Sequence, residues 1–192
     1  MPLPNSPVRR EKKHTRAIRI DAYAREDGLW DIDANISDVK TRDVHAAAGV
    51  RVAGEPIHDL WLRLTIDTSM QIVDVAAVSD STPYPGHCDT IGPDYRKLIG
   101  LNLMQGFRYE VKQRMGGIAG CTHLSELATI LPTAAVQAFA GDVIPVRGEA
   151  GADGQAIKPF QLDRCHALRT DGAAVAQFYP RWATARPTKS TT

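Results

Sequence analysis

No stretch of the sequence approaches the ~18 consecutive apolar residues a membrane helix needs. The polar, proline-rich start does not read as a signal peptide, so the expectation is a cytoplasmic chain. Cysteine is scarce: Cys88, Cys121 and Cys165 are an odd number without framework spacing. Thiols, metal ligands or core residues are therefore expected rather than disulfides. The chain also lacks a Gly-Lys-Ser/Thr phosphate loop, a Gly-x-Ser-x-Gly elbow and a His-Glu-x-x-His pair. Net charge is only +1, which gives no field for nucleic acid or membrane over the body of the chain.

What is present is an ordinary globular composition, 43% hydrophobic and 23% charged in 192 residues. One domain of that size needs no covalent staples. We expect a single α+β domain over 14–182, a basic arm at 1–13 and a flexible tail at 183–192. Arg9, Arg10, Lys12, Lys13 and Arg16 crowd the start and read as an exposed, mobile segment.

Ile18, Ile20 and Ala22 alternate with charged residues before the turn signal Glu26-Asp27-Gly28. Trp30, Ile32, Ala34 and Ile36 then alternate with Asp31, Asp33, Asn35 and Ser37, a period-2 strand pattern. Leu60, Leu62, Leu64 and Ile66 predict a third strand and Ile72 to Val78 a fourth, with a Gly- and Ala-rich loop at 46–56 between the pairs. That is a four-stranded antiparallel sheet with one wet face. The acidic row Asp31, Asp33, Asp38 reads as part of that solvated face.

After the irregular loop Ser81 to Asp89, Pro93 is placed to open a helix through Leu103. Phe107 to Met115 predicts a second, closed by Gly116-Gly117. Gly120 opens a third, reaching Phe139 with a kink at Pro132. Two to three helices should pack on one face of the sheet. Residues 141–158 read as a mobile loop, order resumes at Leu162 to Leu168, Asp171-Gly172 turns, and Val175 to Tyr179 reads as a short last strand.

The chemistry-bearing residues gather around Gly120-Cys121-Thr122-His123. Cys121 sits at a predicted helix start, where unpaired N–H groups and the helix dipole favour a thiolate. His123 follows two residues on, with Glu126 one turn beyond it on the same face. Such a pair can act as nucleophile and base or ligate a metal; packing roles compete with both. His87-Cys88-Asp89 offers further ligands in a strand-to-helix loop. His58 begins the third strand and suits a general base, and Tyr84 suits a proton donor or a stacking surface. Cys165-His166 reads as structural.

Asp27-Gly28-Leu29-Trp30-Asp31-Ile32-Asp33-Ala34, Leu62 to Asp67, Gly117 to Leu127 and Leu162 to Leu168 occur in that order. With these motifs the chain resembles a bacterial family catalogued as domain of unknown function 2889, over roughly residues 14–182. That resemblance implies one domain and brings no agreed activity. In its order of elements, with Cys88-Asp89 after a strand and Cys121 at a helix start, the chain is also similar to iron–sulfur scaffold proteins of the NifU type. The middle cysteine of that pattern is missing.

Two functional expectations follow. The first is a small cytosolic lyase, isomerase or hydratase working by acid–base chemistry on a small acid or aromatic molecule, one form being retro-aldol loss of a one-carbon unit. Catalysis would rest on His123, His58, Tyr84 and Cys121, with no cofactor expected. The second is a metal or iron–sulfur carrier using Cys88, Asp89, Cys121 and His123, with zinc or iron as the metals admitted. A small molecule is the expected partner, not nucleic acid or membrane, and a homo-oligomer is compatible with either expectation.

Overall fold

The computed structural model describes residues 3–148 and 156–184. Residues 149–155 of the expected mobile loop, and 185–192 of the expected tail, lie outside the described residues. The chain groups into two compact units, one ending at Val136 and one starting at Gln137.

The first unit carries the sheet. Strands β1 (His14–Ala24), β2 (Trp30–Lys40), β5 (Pro56–Ile66) and β6 (Ile72–Ser81) lie in the order β1-β2-β5-β6, each pair antiparallel. Between β2 and β5 the expected loop folds instead as a small hairpin, β3 (Val44–Ala46) and β4 (Gly49–Arg51). Alternation sets the burial: Ile32, Ala34 and Ile36 of β2, and Leu60, Leu62, Leu64 and Ile66 of β5, are all 0–1% exposed. Burying each of the Ile and Leu side chains among them contributes roughly 1.5–3 kcal/mol.

A 3-10 segment, Cys88–Leu98, runs beside β6 in place of the helix expected from Pro93. Pro93 lies inside it, and Gly92 shows why the path is tight: a Cβ there would sit 2.6 Å from the Ala77 carbonyl oxygen. Two helices follow, α1 (Phe107–Met115) and α2 (Thr122–Phe139). Leu124, Leu127, Ala128, Leu131 and Ala135 form the buried stripe of α2, spaced at helical period. Among the described residues no helix is long and apolar enough to cross a membrane.

In the second unit, Phe139 and Val175 are fully buried and Leu162 nearly so. The Gln161 side-chain amide donates to the Val146 carbonyl (2.8 Å) and to the Tyr179 hydroxyl (3.0 Å). The expected strand at Val175 to Tyr179 is instead the helix α3 (Ala173–Phe178). Ala173, Ala174 and Ala176 have high helix propensity, and that outweighs a short apolar run. Leu162 to Leu168 is a succession of turns, on which Cys165 and His166 are exposed.

Candidate functional site

The strand pattern delivers polar side chains to one end of the buried sheet face. Asp38 continues the row Ile32, Ala34, Ile36, and His58 begins the row of Leu60, Leu62 and Leu64. Arg16 lies two residues before Ile18 on β1. Pairing completes the arrangement, since Arg16 stands opposite Asp38 and Asp38 opposite His58. A polar cross-strand row thus replaces the apolar row Ile18–Ile36–Leu60 one pleat away. Asp38 is therefore not part of the solvated acidic face: it is 4% exposed, on the opposite side from Asp31 and Asp33.

Four donors converge on the Asp38 carboxylate. Arg16 forks onto it, Nε to Oδ1 at 2.9 Å and Nη2 to Oδ2 at 2.8 Å. His14 Nε2 lies 2.8 Å from Oδ1, and His58 Nδ1 lies 3.1 Å from Oδ2. His123, from the first turn of α2, brings Nε2 to 3.6 Å from Oδ2. Arg16 Nη1 also meets Glu126 at 2.6 Å, tying β1 to α2. The rings of His58 and His123 lie with centroids 3.8 Å apart.

The charges set the protonation states. Burial opposes ionisation of Asp38, but the hydrogen bonds from Arg16 and His14 outweigh it and hold the carboxyl well below its ordinary range. Burial pushes His58 below its ordinary value, and the neighbouring His123 adds to this against the pull of Asp38. His123 is lowered too, by burial and then by Arg16. A carboxylate only accepts hydrogen bonds, so neutral His58 must carry its proton on Nδ1. That leaves the Nε2 lone pair free.

Two local features fix the start of α2. Tyr95 is fully buried; its hydroxyl accepts from the Cys121 N–H at 3.0 Å, lies 2.8 Å from the Cys121 carbonyl oxygen and 2.9 Å from Ser125 Oγ. Gly120 passes so close to the Met115 carbonyl oxygen that a side chain there would collide with it. Cys121 and His123 are thereby presented to a cavity of about 380 Å³.

Six of the residues picked from the sequence, His58, Tyr84, His87, Cys88, Cys121 and His123, line that cavity together. Asp89 does not: its carboxylate accepts from the Gly86 N–H at 3.1 Å within its own loop. The sequence reading missed Asp38, Arg16, His14 and Tyr95 as site residues. For the first two a signal existed, because their parity in the alternating strands puts them on the core face.

Cys121 Sγ is 4.0 Å from His123 Nδ1. Among the described residues, the donors spaced to share one cation are Asp38, His58 and His123, within 4.8 Å of one another. The expected set of Cys88, Asp89, Cys121 and His123 is not so grouped. The forked Arg16 guanidinium already supplies the positive charge that a cation would bring to Asp38.

The protonation states carry a stability consequence. Because both folded imidazoles titrate below their ordinary 6.5, the folded state gains relative stability above that value and loses it as pH falls through 6.5 toward the folded pKa values. Asp38 adds a separate loss below its ordinary 3.8. Urea titrations across this range should show the first decline in the wild type and a shallower one in a His58→Ala, His123→Ala double variant. An equal slope in both would contradict the burial of neutral imidazoles.

No curated protein and no solved structure matches the chain, so the likeness to NifU-type scaffolds gains no support there. The family described as "Protein of unknown function (DUF2889)" matches residues 14–137, a span that contains the Asp38 cluster, the cavity lining and nearly all of α2. The chain belongs to the DUF2889 family.

Proposed function

We propose that the chain is a small acid–base enzyme of the lyase, isomerase or hydratase kind, with His58 as its proton-accepting group. The observation that carries this reading is the buried Asp38 carboxylate, 3.1 Å from His58 Nδ1, which orients the ring at the cavity wall. A carboxylate behind an imidazole fixes its tautomer and stabilises the imidazolium formed when Nε2 takes a proton. His123, beside it, is the second proton carrier, and Cys121 and Tyr84 border the reacting molecule.

All three reaction kinds share one cycle. Nε2 of His58 removes a proton from a C–H or O–H group, a bond rearranges, and an imidazolium returns a proton to the product. In the retro-aldol form, the proton leaves a hydroxymethyl group and the C–C bond breaks to release formaldehyde. The electron pair left on carbon then takes the proton back. No step draws on an organic cofactor.

The test is a product screen of small aromatic alcohols and acids in D2O. The wild type should place solvent deuterium in the product, and His58→Ala should lower turnover by about 10²–10⁴-fold. Turnover that survives His58→Ala intact would remove His58 from the role. The spacing of Asp38, His58 and His123 favours a cation as the second reading. Elemental analysis showing one metal per chain, lost in His123→Ala, would replace the acid–base reading with it.

A further inference from the structure

We infer that the cavity beside His58 takes an uncharged, hydroxyl-bearing aromatic molecule and discriminates against carboxylates of the same shape. The inference rests on reading the cavity as the substrate site and narrows what that site accepts. Its size comes first: about 380 Å³ is the liquid volume of roughly a dozen waters, enough for one ring with short substituents.

The walls come next. Leu60, Pro83, Tyr84 and Ile91 supply apolar and aromatic surface, with Tyr84 half exposed and free to stack. Thr82, Thr90 and Thr122, with the imidazoles of His58, His87 and His123, supply hydrogen-bonding groups. No Lys, Arg, Asp or Glu is among the described residues lining the cavity.

The charges behind the wall point the same way. Arg16 is shared between Asp38 and Glu126, so that group of three sums to one negative charge just behind the imidazoles. A ligand carboxylate would lie near this charge with no Lys or Arg in the described lining to pair with it, and like-charge repulsion disfavours that position. The start of α2 offers N–H dipoles, which suit a hydroxyl or carbonyl oxygen and amount to only about half a charge.

Three probes of matched shape test this on the full chain: 4-methoxybenzyl alcohol, 4-methoxybenzoate and 4-methoxycyclohexylmethanol, titrated at neutral pH and followed by amide chemical shifts. The aromatic alcohol should bind at least about tenfold tighter than the benzoate and several-fold tighter than the saturated ring. Its shifts should centre on Tyr84, Ile91 and Cys121. Benzoate binding as tightly or more tightly overturns the inference, as does equal affinity for the saturated ring or a shift pattern elsewhere. The result separates from the acid–base reading, because the probe affinities of the wild type read the ligand class alone, whereas the loss of turnover in His58→Ala reads the proton-accepting role. Probe failure with His58-dependent turnover intact would sink the ligand class alone.

Discussion

Replacing Asp38 by asparagine should destabilise the fold by roughly 2–3 kcal/mol and collapse whatever turnover the His58 centre supports. The size follows from what the carboxylate holds. A fully buried ion pair that loses one partner costs about 3–5 kcal/mol, and the figure is reduced here because Arg16 remains about one-third exposed to water. The catalytic loss follows from the tautomer. An asparagine side chain can present its NH2 to His58 as readily as its oxygen, so Nδ1 no longer has to carry the proton. A fall in turnover of about 10²-fold or more, beyond any loss of folded protein, should be read at a temperature where the variant remains folded. Asp38→Asn with wild-type stability would mean that the convergence on this carboxylate has little energetic weight.

The second large effect is expected at Gly120. Its backbone passes the Met115 carbonyl oxygen too closely for a Cβ, and Gly120 is extended, so the constraint is steric contact and not a left-handed backbone. Gly120→Ala must push the start of α2 away, at a cost of about 1–3 kcal/mol. That shift would also move Cys121 off the Tyr95 hydroxyl and His123 off Asp38. Thermal unfolding should show the loss, and the His123 ring resonances should move with it. A variant as stable as the wild type, with unmoved His123 signals, would show that the approach relaxes freely.

Much of this architecture is legible in residue spacing. The rows of β2 and β5 alternate cleanly enough to give strand, face and core together, and α1 and α2 are bounded by glycines. Asp38 shows where that reading stopped short. Grouped with Asp31 and Asp33 by charge, it reads as solvated; counted by parity with Ile32, Ala34 and Ile36, it belongs to the core face. Register lies beyond such counting: that Asp38 stands opposite both Arg16 and His58 depends on two strand pairings, one of them spanning the β3–β4 hairpin. Tyr95 left no signal at all, since a single tyrosine in a short helical stretch does not say which backbone it will meet.

His58 and His123 illustrate the same division. Each is recognisable as a candidate base by residue type and by its place at the end of a strand or the start of a helix. Their approach to 3.8 Å between ring centroids depends on how the start of α2 meets β1, which the Arg16–Glu126 ion pair helps to fix. Local sequence supplied the parts, and tertiary packing brought them together.

The role of the Asp38–His58 pair is tested most directly by the tautomer of His58, read from its ring 15N shifts and couplings at neutral pH in the full chain. The Asp38 carboxylate, 3.1 Å from Nδ1, should hold a neutral ring protonated on Nδ1, with Nε2 bare, and Asp38→Asn should lose that preference. A ring protonated on Nε2, or doubly protonated at neutral pH, would contradict it.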